Sequence, residues 1–478
     1  MQYFYICKTK YDTLTLIKSI SGIRGTIGGV PEENLTPFDI VRFAAGFGAW
    51  IIENNQKKKV VIGSDARISG PMVKKIIVGT LQGMGIDVVD LGMATTPTVE
   101  MAVPMEKAGG GIIVTASHNP KQWNALKLLN NKGEFVSQKE GKDILRLSDS
   151  KDIHFAKVEK LGRHTQDDTY LKKHIDAILA LPLVNIESIK NADFKVVIDC
   201  VNSIGGIAVP ELLKALGVKK VTKMYCEPNG IFPHNPEPLP ENLSGIAHEV
   251  VFNKADLGIV VDPDVDRLAM VCEDGNMFGE EYTLVAVSDY VLSKTKGSSV
   301  SNLSSTRALR DVTHKHKCEY YAAAVGEVNV VNKMKSVDAV IGGEGNGGII
   351  YPELHYGRDA LVGIALFLSH LAKSGKRISV LRNTYPKYYM YKNKCELHPG
   401  LDVDDILKKI KNKYKKNPIN TEDGVKIDFE DEWVHLRKSN TEPIIRIYTE
   451  GKTETTAVNI GNKIMGDIKE LINENQLI

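Results

Sequence analysis

Four stretches of the chain share one pattern: a continuous run of β-branched and other apolar residues that stops at an acidic or glycine-rich turn. They are KKVVIGSDAR from Lys58, FKVVIDCVNS from Phe194, ADLGIVVDPDVDR from Ala255 and DAVIGGEGNGG from Asp338. The runs do not alternate polar with apolar positions, so they predict strands buried on both faces, as in parallel α/β sheets. Helical stretches such as PMVKKIIVGTLQGMG and IAVPELLKALG lie between them, which predicts successive α/β units of related architecture. The polar endings then gather at the carboxyl edge of the strands, where ligands bind in open α/β sheets. A fifth run, Gly111 to Val114, ends the same way and delivers Ser117 just beyond its carboxyl end, in GGGIIVTASHNP.

The pattern changes toward the end of the chain. GVKIDFEDEWVHLRKSNTEPIIRIYTEG reads as two strand-like runs flanking a polar turn, and TAVNIGNKIMGDIKELINEN as a closing helix, an α+β style unlike the earlier units. Linkers are expected near VEKLGRHTQDD from Val158, at FGEEYT from Phe278 and near LRNTYPKYYMYKNK from Leu381. The proline-rich YCEPNGIFPHNPEPLPENL excludes helix and central strand and predicts an ordered, extended loop.

A chain of 478 residues is too long for one core and implies several domains. A formal charge of +2 gives no reason to expect nucleic acid or an anionic membrane as partner. Six scattered cysteines without a CxxC pair read as reduced cytosolic thiols. No apolar run approaches a membrane span, and the opening residues are too polar for a secretory signal.

Ser117 invites comparison with a hydrolase nucleophile, but Thr115 and Asn119 stand where that strained elbow needs glycine. His118 is expected to be a poor base for its own neighbour, because adjacent side chains of an extended chain point apart. A cap or turn without chemistry is the competing reading. In DPDVDR, Asp262, Asp264 and Asp266 crowd three carboxylates into five residues, which suits a hard divalent cation such as Mg²⁺ or Ca²⁺ better than a bare turn. An EF-hand is excluded by Arg267 at the glycine position and by the strand that precedes the loop. RKSNTEPIIR, from Arg437 to Arg446, assembles the donors a phosphate takes, although a polar hairpin offers the same residues. GGEGNGG brings Glu344 and Asn346 together, a pair able to read sugar hydroxyls. Gly345 and Gly348 are expected to leave open space beside them.

Taken in order, TASHNP, DPDVDR, GGEGNGG and RKSNTEP, with SGIRG, GSDARISG, NALK and FPHNPEP, closely resemble the signatures of the α-D-phosphohexomutases, outside only the first dozen or so residues. That family includes phosphoglucomutase, phosphomannomutase and phosphoglucosamine mutase. The resemblance implies four domains around a central cleft: three related mixed α/β domains over 1–162, 163–274 and 275–384, and a smaller α+β domain over 385–478. It implies a phosphoryl group carried on Ser117 and transferred to a sugar hydroxyl through a hexose 1,6-bisphosphate intermediate. It further implies one Mg²⁺ held by Asp262, Asp264, Asp266 and the serine phosphate. Arg24, Arg67, Arg267 and Lys127 would surround that phosphate, Lys127 or Arg24 would accept the proton, and His118 would join the catalytic set. Arg437, Ser439, Asn440, Thr441 and Arg446 would grip the non-reacting phosphate, while Glu344 and Asn346 would read the sugar. By this resemblance the chain is a cytoplasmic isomerase acting on a small phosphosugar. Its Gly-Glu-x-Asn-Gly-Gly loop points to glucosamine phosphate, ahead of glucose or mannose phosphate and of a non-catalytic binding relative. The chain departs from the family at Asn346, where serine is usual, at Gly345, at Gly348, where several members place an acid/base histidine, and at Val265 and Ala125, where glycine is usual.

Overall fold

A computed structural model describes residues 14–19, 22–54, 56–397, 401–438 and 444–476. It divides into two compact units, the first made of 1–171 with 202–204 and 227–237, the second of the remainder.

The first unit is built on one sheet of seven strands: β1 (Ile17–Ser19), β2 (Gly22–Thr26), β3 (Lys59–Ser64), β4 (Asp87–Met93), β5 (Gly110–Val114), β6 (Trp123–Leu129) and β7 (His164–Gln166). Their order is β1-β2-β6-β5-β3-β4-β7. β5, β3, β4 and β7 run parallel, whereas β1, β2, β6 and β5 pair antiparallel, so the sheet is mixed. Every residue of β5 is buried, as an unalternating apolar run requires. The helix Pro37–Glu53 opens with Asp39 accepting from the Thr36 N–H at 3.1 Å, and lays Phe43, Phe47 and Ile51, spaced four apart, into the core with Ile62 and Ile112.

The second unit carries three sheets. β8 (Lys195–Asp199), β9 (Lys220–Met224), β10 (Leu257–Val261) and β11 (Leu268–Cys272) order as β11-β10-β8-β9. β12 (Ser298–Asn302), β13 (Tyr320–Ala323), β14 (Ala339–Glu344) and β15 (Gly348–Ile350) order as β13-β12-β14-β15. Each of these two sheets has a parallel core and an antiparallel hairpin, β10–β11 or β14–β15, at one edge. The last sheet is wholly antiparallel: β16 (Tyr389–Glu396), β17 (Ile419–Asn420), β18 (Val425–Asp428), β19 (Trp433–Lys438) and β20 (Ile444–Gly451), ordered β16-β20-β19-β18-β17. The closing helix Glu454–Gln476 buries Ile464 and Ile468 in the core of this sheet.

The four patterned runs became β3, β8, β10 and β14, and the proline-rich loop holds no strand and only the short 3₁₀ turn Pro240–Asn242. Two expectations are revised. The linker expected at FGEEYT narrows to its first two residues, because Glu280 begins the helix Glu280–Lys294, and Phe278 in it is fully buried. The C-terminal segment forms three strands where two were expected, since β18 pairs with β19 and β19 with β20.

Candidate active site

In the first unit, β5 ends at Val114 and the chain turns sharply. Thr115 N–H donates to the carbonyl of Ala125 on β6 at 3.2 Å, and the Thr115 hydroxyl donates to Asp65 Oδ2 at 2.7 Å. Ser117 then adopts φ +49°, a left-handed conformation that costs a non-glycine residue on the order of 1–3 kcal/mol. Its N–H donates to Thr115 Oγ1 at 2.9 Å, so the turn is held from within. The bent backbone brings His118 Nδ1 to 3.5 Å from Ser117 Oγ. The expectation that the two side chains point apart is thereby corrected, since it assumed an extended chain.

Arg67 explains why the strained turn persists. Its side chain is fully buried, with Nε donating to Asp65 Oδ2 at 3.1 Å. Nη1 donates to the carbonyls of Pro120 and Trp123 at 2.8 and 2.9 Å, and Nη2 to those of Ser117 and Asn119 at 2.5 and 2.6 Å. Phe232 of the proline-rich loop covers the guanidinium at 5.1 Å. All five N–H donors of an arginine are thus engaged by the protein. Arg67, expected to bind substrate, instead gathers the Ser117 loop, and its donors have none left for a phosphate. Arg24 and Lys127 stand on the neighbouring strands. Arg24 lies opposite Ala125 and Lys127 is two residues further along β6, so the pleat puts all three on one face. Lys127 Nζ reaches the ring of Phe135 at 5.7 Å.

In the second unit, Asp262, Asp264 and Asp266 form the loop of the β10–β11 hairpin, and none is exposed. Asp262 Oδ1 accepts from the N–H groups of Asp266 and Arg267, each at 3.1 Å, which closes the loop on itself. Val265 sits at φ +63°, the reason glycine is the easier residue there. The three carboxylates offer oxygens within 4.8 Å of one another. Buried, all-oxygen and acidic, the set fits a hard divalent cation. Arg267 Nε lies 3.9 Å from Asp266 Oδ1. A second cluster among the described residues, His174, His355 and Asp359, has a different character. Asp359 Oδ2 accepts from both imidazoles, at 2.9 and 3.4 Å, while its Oδ1 caps the helix Ala360–Ser374. Burial pushes this carboxyl up, but the two imidazoles outweigh it and hold it below the usual carboxylate range.

The β14–β15 loop lies directly against the acidic hairpin: Leu268 N–H donates to the carbonyl of Gly347 at 3.0 Å. Glu344 Oε1 accepts from Asn302 Nδ2 and Gly326 N–H at 2.9 and 3.1 Å, and Oε2 accepts from Arg358 Nη1 at 3.0 Å. With about four acceptor positions on a carboxylate, little capacity is left for a sugar. Asn346 is half-buried, and its Oδ1 accepts from Gly348 N–H at 3.2 Å. The expected open space is absent. A Cβ on Gly345 would stand 2.0 Å from Glu281 Oε2, and one on Gly348 would stand 2.3 Å from Arg358 Cδ. Burial raises the Glu281 carboxyl to about 8.

On the last sheet Arg437 and Arg446 lie directly opposite on β19 and β20, a placement that repels unless an anion or carboxylate is near. Asp423 Oδ2 lies 2.7 Å from Arg437 Nε and accepts from Val325 N–H at 3.0 Å, tying this arginine to the segment whose Gly326 holds Glu344. Ser439, Asn440 and Thr441 lie outside the described residues. Sequence reasoning missed Arg358, Asn302, Asp423 and Glu281, none of which stands inside a motif.

Four family models, described as Phosphoglucomutase/phosphomannomutase alpha/beta/alpha domains I, II and III and C-terminal domain, match residues 17–153, 172–275, 279–389 and 394–465. A "Phosphoglucomutase/phosphomannomutase" of Thermococcus kodakarensis is 36% identical over 91% of this chain and 95% of its own. A "Phosphoglucosamine/phosphogalactosamine mutase" of Sulfurisphaera tokodaii is 32% identical over 94% and 98%. The crystal structure of a phosphoglucomutase/phosphomannomutase family protein from Burkholderia thailandensis has the same fold, with a TM-score of 0.81 at 24% identity over 94% of this chain and 96% of that one.

Proposed function

The chain belongs to the phosphoglucomutase/phosphomannomutase family of α-D-phosphohexomutases, and from that premise we propose that it interconverts glucosamine 6-phosphate and glucosamine 1-phosphate. It is a mutase, an isomerase that moves a phosphoryl group between two positions of one sugar. The observation that carries the reading is Ser117, held in a strained turn by Arg67 at the end of β5. In the proposed cycle the P–O bond of phosphoserine 117 breaks as a bond forms to the free hydroxyl of the sugar monophosphate; Lys127, neutral beside the cationic Arg24 that holds phosphate, accepts the hydroxyl proton, and the departing Ser117 Oγ takes up a proton. The resulting bisphosphate reorients and returns its other phosphoryl group to Ser117 Oγ. His118, in reach of that oxygen, orients it. Asp262, Asp264 and Asp266 are the residues that would hold Mg²⁺, which when bound supplies charge neutralisation to the transferred phosphoryl group. Arg437, Arg446, Ser439, Asn440 and Thr441 would hold the other phosphate, and Arg267 and Asn346 would line the sugar, with Glu344 contributing at most the one acceptor position its three protein donors leave. A cytoplasmic location accords with cysteines that carry no disulfide among the described residues.

The preference for glucosamine phosphate is supported by the Gly-Glu-x-Asn-Gly-Gly loop and by the name of the Sulfurisphaera relative. The name of the Thermococcus relative favours glucose or mannose phosphate as the second reading. Assays of the three 1-phosphates side by side decide between them. Glucosamine phosphate should give the highest kcat/KM, and a lead of more than about tenfold, roughly 1.4 kcal/mol, for either other sugar would reverse the order.

A further inference from the structure

Arg358 belongs to no motif, yet it stands where the acidic hairpin meets the β14–β15 loop. Nη2 donates to Asp266 Oδ2 at 2.7 Å, Nη1 to Glu344 Oε2 at 3.0 Å and Nε to Glu327 Oε2 at 2.9 Å. Its own N–H donates to Glu327 Oε1 at 3.2 Å. Arg358, Glu327, Glu344 and Asp266 are all buried. The backbone on either side of this contact is fixed too: Asp359 N–H donates to the carbonyl of Ile349 at 2.8 Å and Ala360 N–H to that of Val265 at 3.1 Å. Room for the side chain exists because position 348 is glycine. Its Cβ would fall 2.3 Å from Arg358 Cδ and 2.9 Å from Cγ, atoms in the middle of the side chain that cannot swing aside while the guanidinium stays bonded.

A carboxylate has two oxygens, and Asp266 Oδ2 is held by a guanidinium. A cation that took both oxygens would have to compete with that guanidinium for Oδ2. Mg²⁺ demands near-octahedral geometry and takes carboxylates through single oxygens at about 2.0–2.1 Å, whereas Ca²⁺, at about 2.3–2.6 Å, readily takes both oxygens of one carboxylate. We propose that Arg358 is a positioning residue that restricts Asp266 to one-oxygen ligation and so biases the acidic site toward Mg²⁺ over Ca²⁺, while locking Glu344 to the same hairpin. The inference rests on the assignment of Asp262, Asp264 and Asp266 to a divalent cation. It also gives Gly348 a structural purpose, that of leaving the arginine's path open.

The test is calorimetric titration of the purified, metal-stripped protein with Mg²⁺ and with Ca²⁺, for the wild type, Arg358→Gln, Arg358→Lys and Gly348→Ala, with Asp264→Asn as control. Arg358→Gln should shift the ratio of Ca²⁺ to Mg²⁺ affinity toward Ca²⁺ by about tenfold or more, the scale on which groups behind metal ligands act. Gly348→Ala should shift it the same way although the guanidinium is retained, and Arg358→Lys, a single donor point, should fall between. In Mg²⁺-saturated kinetics kcat should drop more than KM rises. Should Arg358→Gln not fold, Gly348→Ala and Arg358→Lys carry the test. An unchanged ratio in the folded variants, with Asp264→Asn abolishing cation binding, overturns the role of Arg358 alone. A wild type whose cation binding is indifferent to Asp264→Asn overturns the metal assignment and this inference with it.

Discussion

Arg67 in the first unit and Arg358 in the second are both buried, and both draw together a loop that chemistry needs, but they gather different things. Arg67 meets four backbone carbonyls and one carboxylate. Its charge is answered by Asp65, so the assembly asks for nothing more and serves as shape: a rigid cradle behind Ser117. Arg358 meets three carboxylates, with Asp262 and Asp264 close by in the same hairpin. Arg358 and Arg267, the latter 3.9 Å from Asp266 Oδ1, are two cations among five carboxylates, and the surplus is what a divalent cation would neutralise. The same residue type therefore closes one site and leaves the other incomplete. Counting what an arginine's donors touch separates a scaffold from a binding centre better than the arginine's place in a motif.

The sharpest way to break the comparison is Arg67→Ala. It strands buried Asp65 and four carbonyls, and loss of one partner of a buried pair costs about 3–5 kcal/mol. Denaturant unfolding should report a loss of that size in the first unit. A loss below about 1 kcal/mol would mean that the carbonyls find water or other donors, and that Arg67 is free to serve a ligand after all.

A smaller effect should distinguish the units by pH. In the second unit His435 on β19 donates from Nε2 to the Asp423 carbonyl, and its Nδ1 lies 2.8 Å from Ser304 Oγ, which can donate to it while the imidazole is neutral. Burial holds its pKa down at about 4, against an ordinary value of about 6.5. Between those values the unfolded chain binds a proton that the folded chain refuses, so stability is intact above about pH 6.5 and declines toward pH 4. Amide exchange on β19 should accelerate over that window, while residues 115–123, four of whose carbonyls are held by the Arg67 guanidinium, should hold their protection better. Equal loss in both segments would erase the contrast.

β3, β5, β8, β10 and β14 were legible because they are unalternating apolar runs with polar stops, a pattern set by burial on both faces. Arg67, Ser117 and the three aspartates were legible for the same reason, since each follows a strand end, whereas Arg24, Lys127, Arg437 and Arg446 stand within strands. What the linear reading missed is tertiary in origin. His118 comes near Ser117 because φ at Ser117 is positive, which no neighbour in sequence announces. Arg67 sits in a motif, but only the folded loop shows its donors engaged. Arg358 lies 14 residues beyond Glu344 in YGRDALVG, where it reads as a polar lead-in to an apolar helix. The space expected beside Gly345 and Gly348 is filled by Glu281 and Arg358, side chains that arrive from elsewhere in the fold.

The central claim is that Ser117 carries the phosphoryl group. Intact-mass analysis of the purified protein, followed by peptide mapping, tests it most directly. After incubation with hexose 1,6-bisphosphate, a population one phosphate heavier should appear and map to Ser117, and it should be absent in Ser117→Ala, which should also lose turnover. A phosphate mapping elsewhere, or a Ser117→Ala enzyme that turns over at a near-normal rate, would contradict the account.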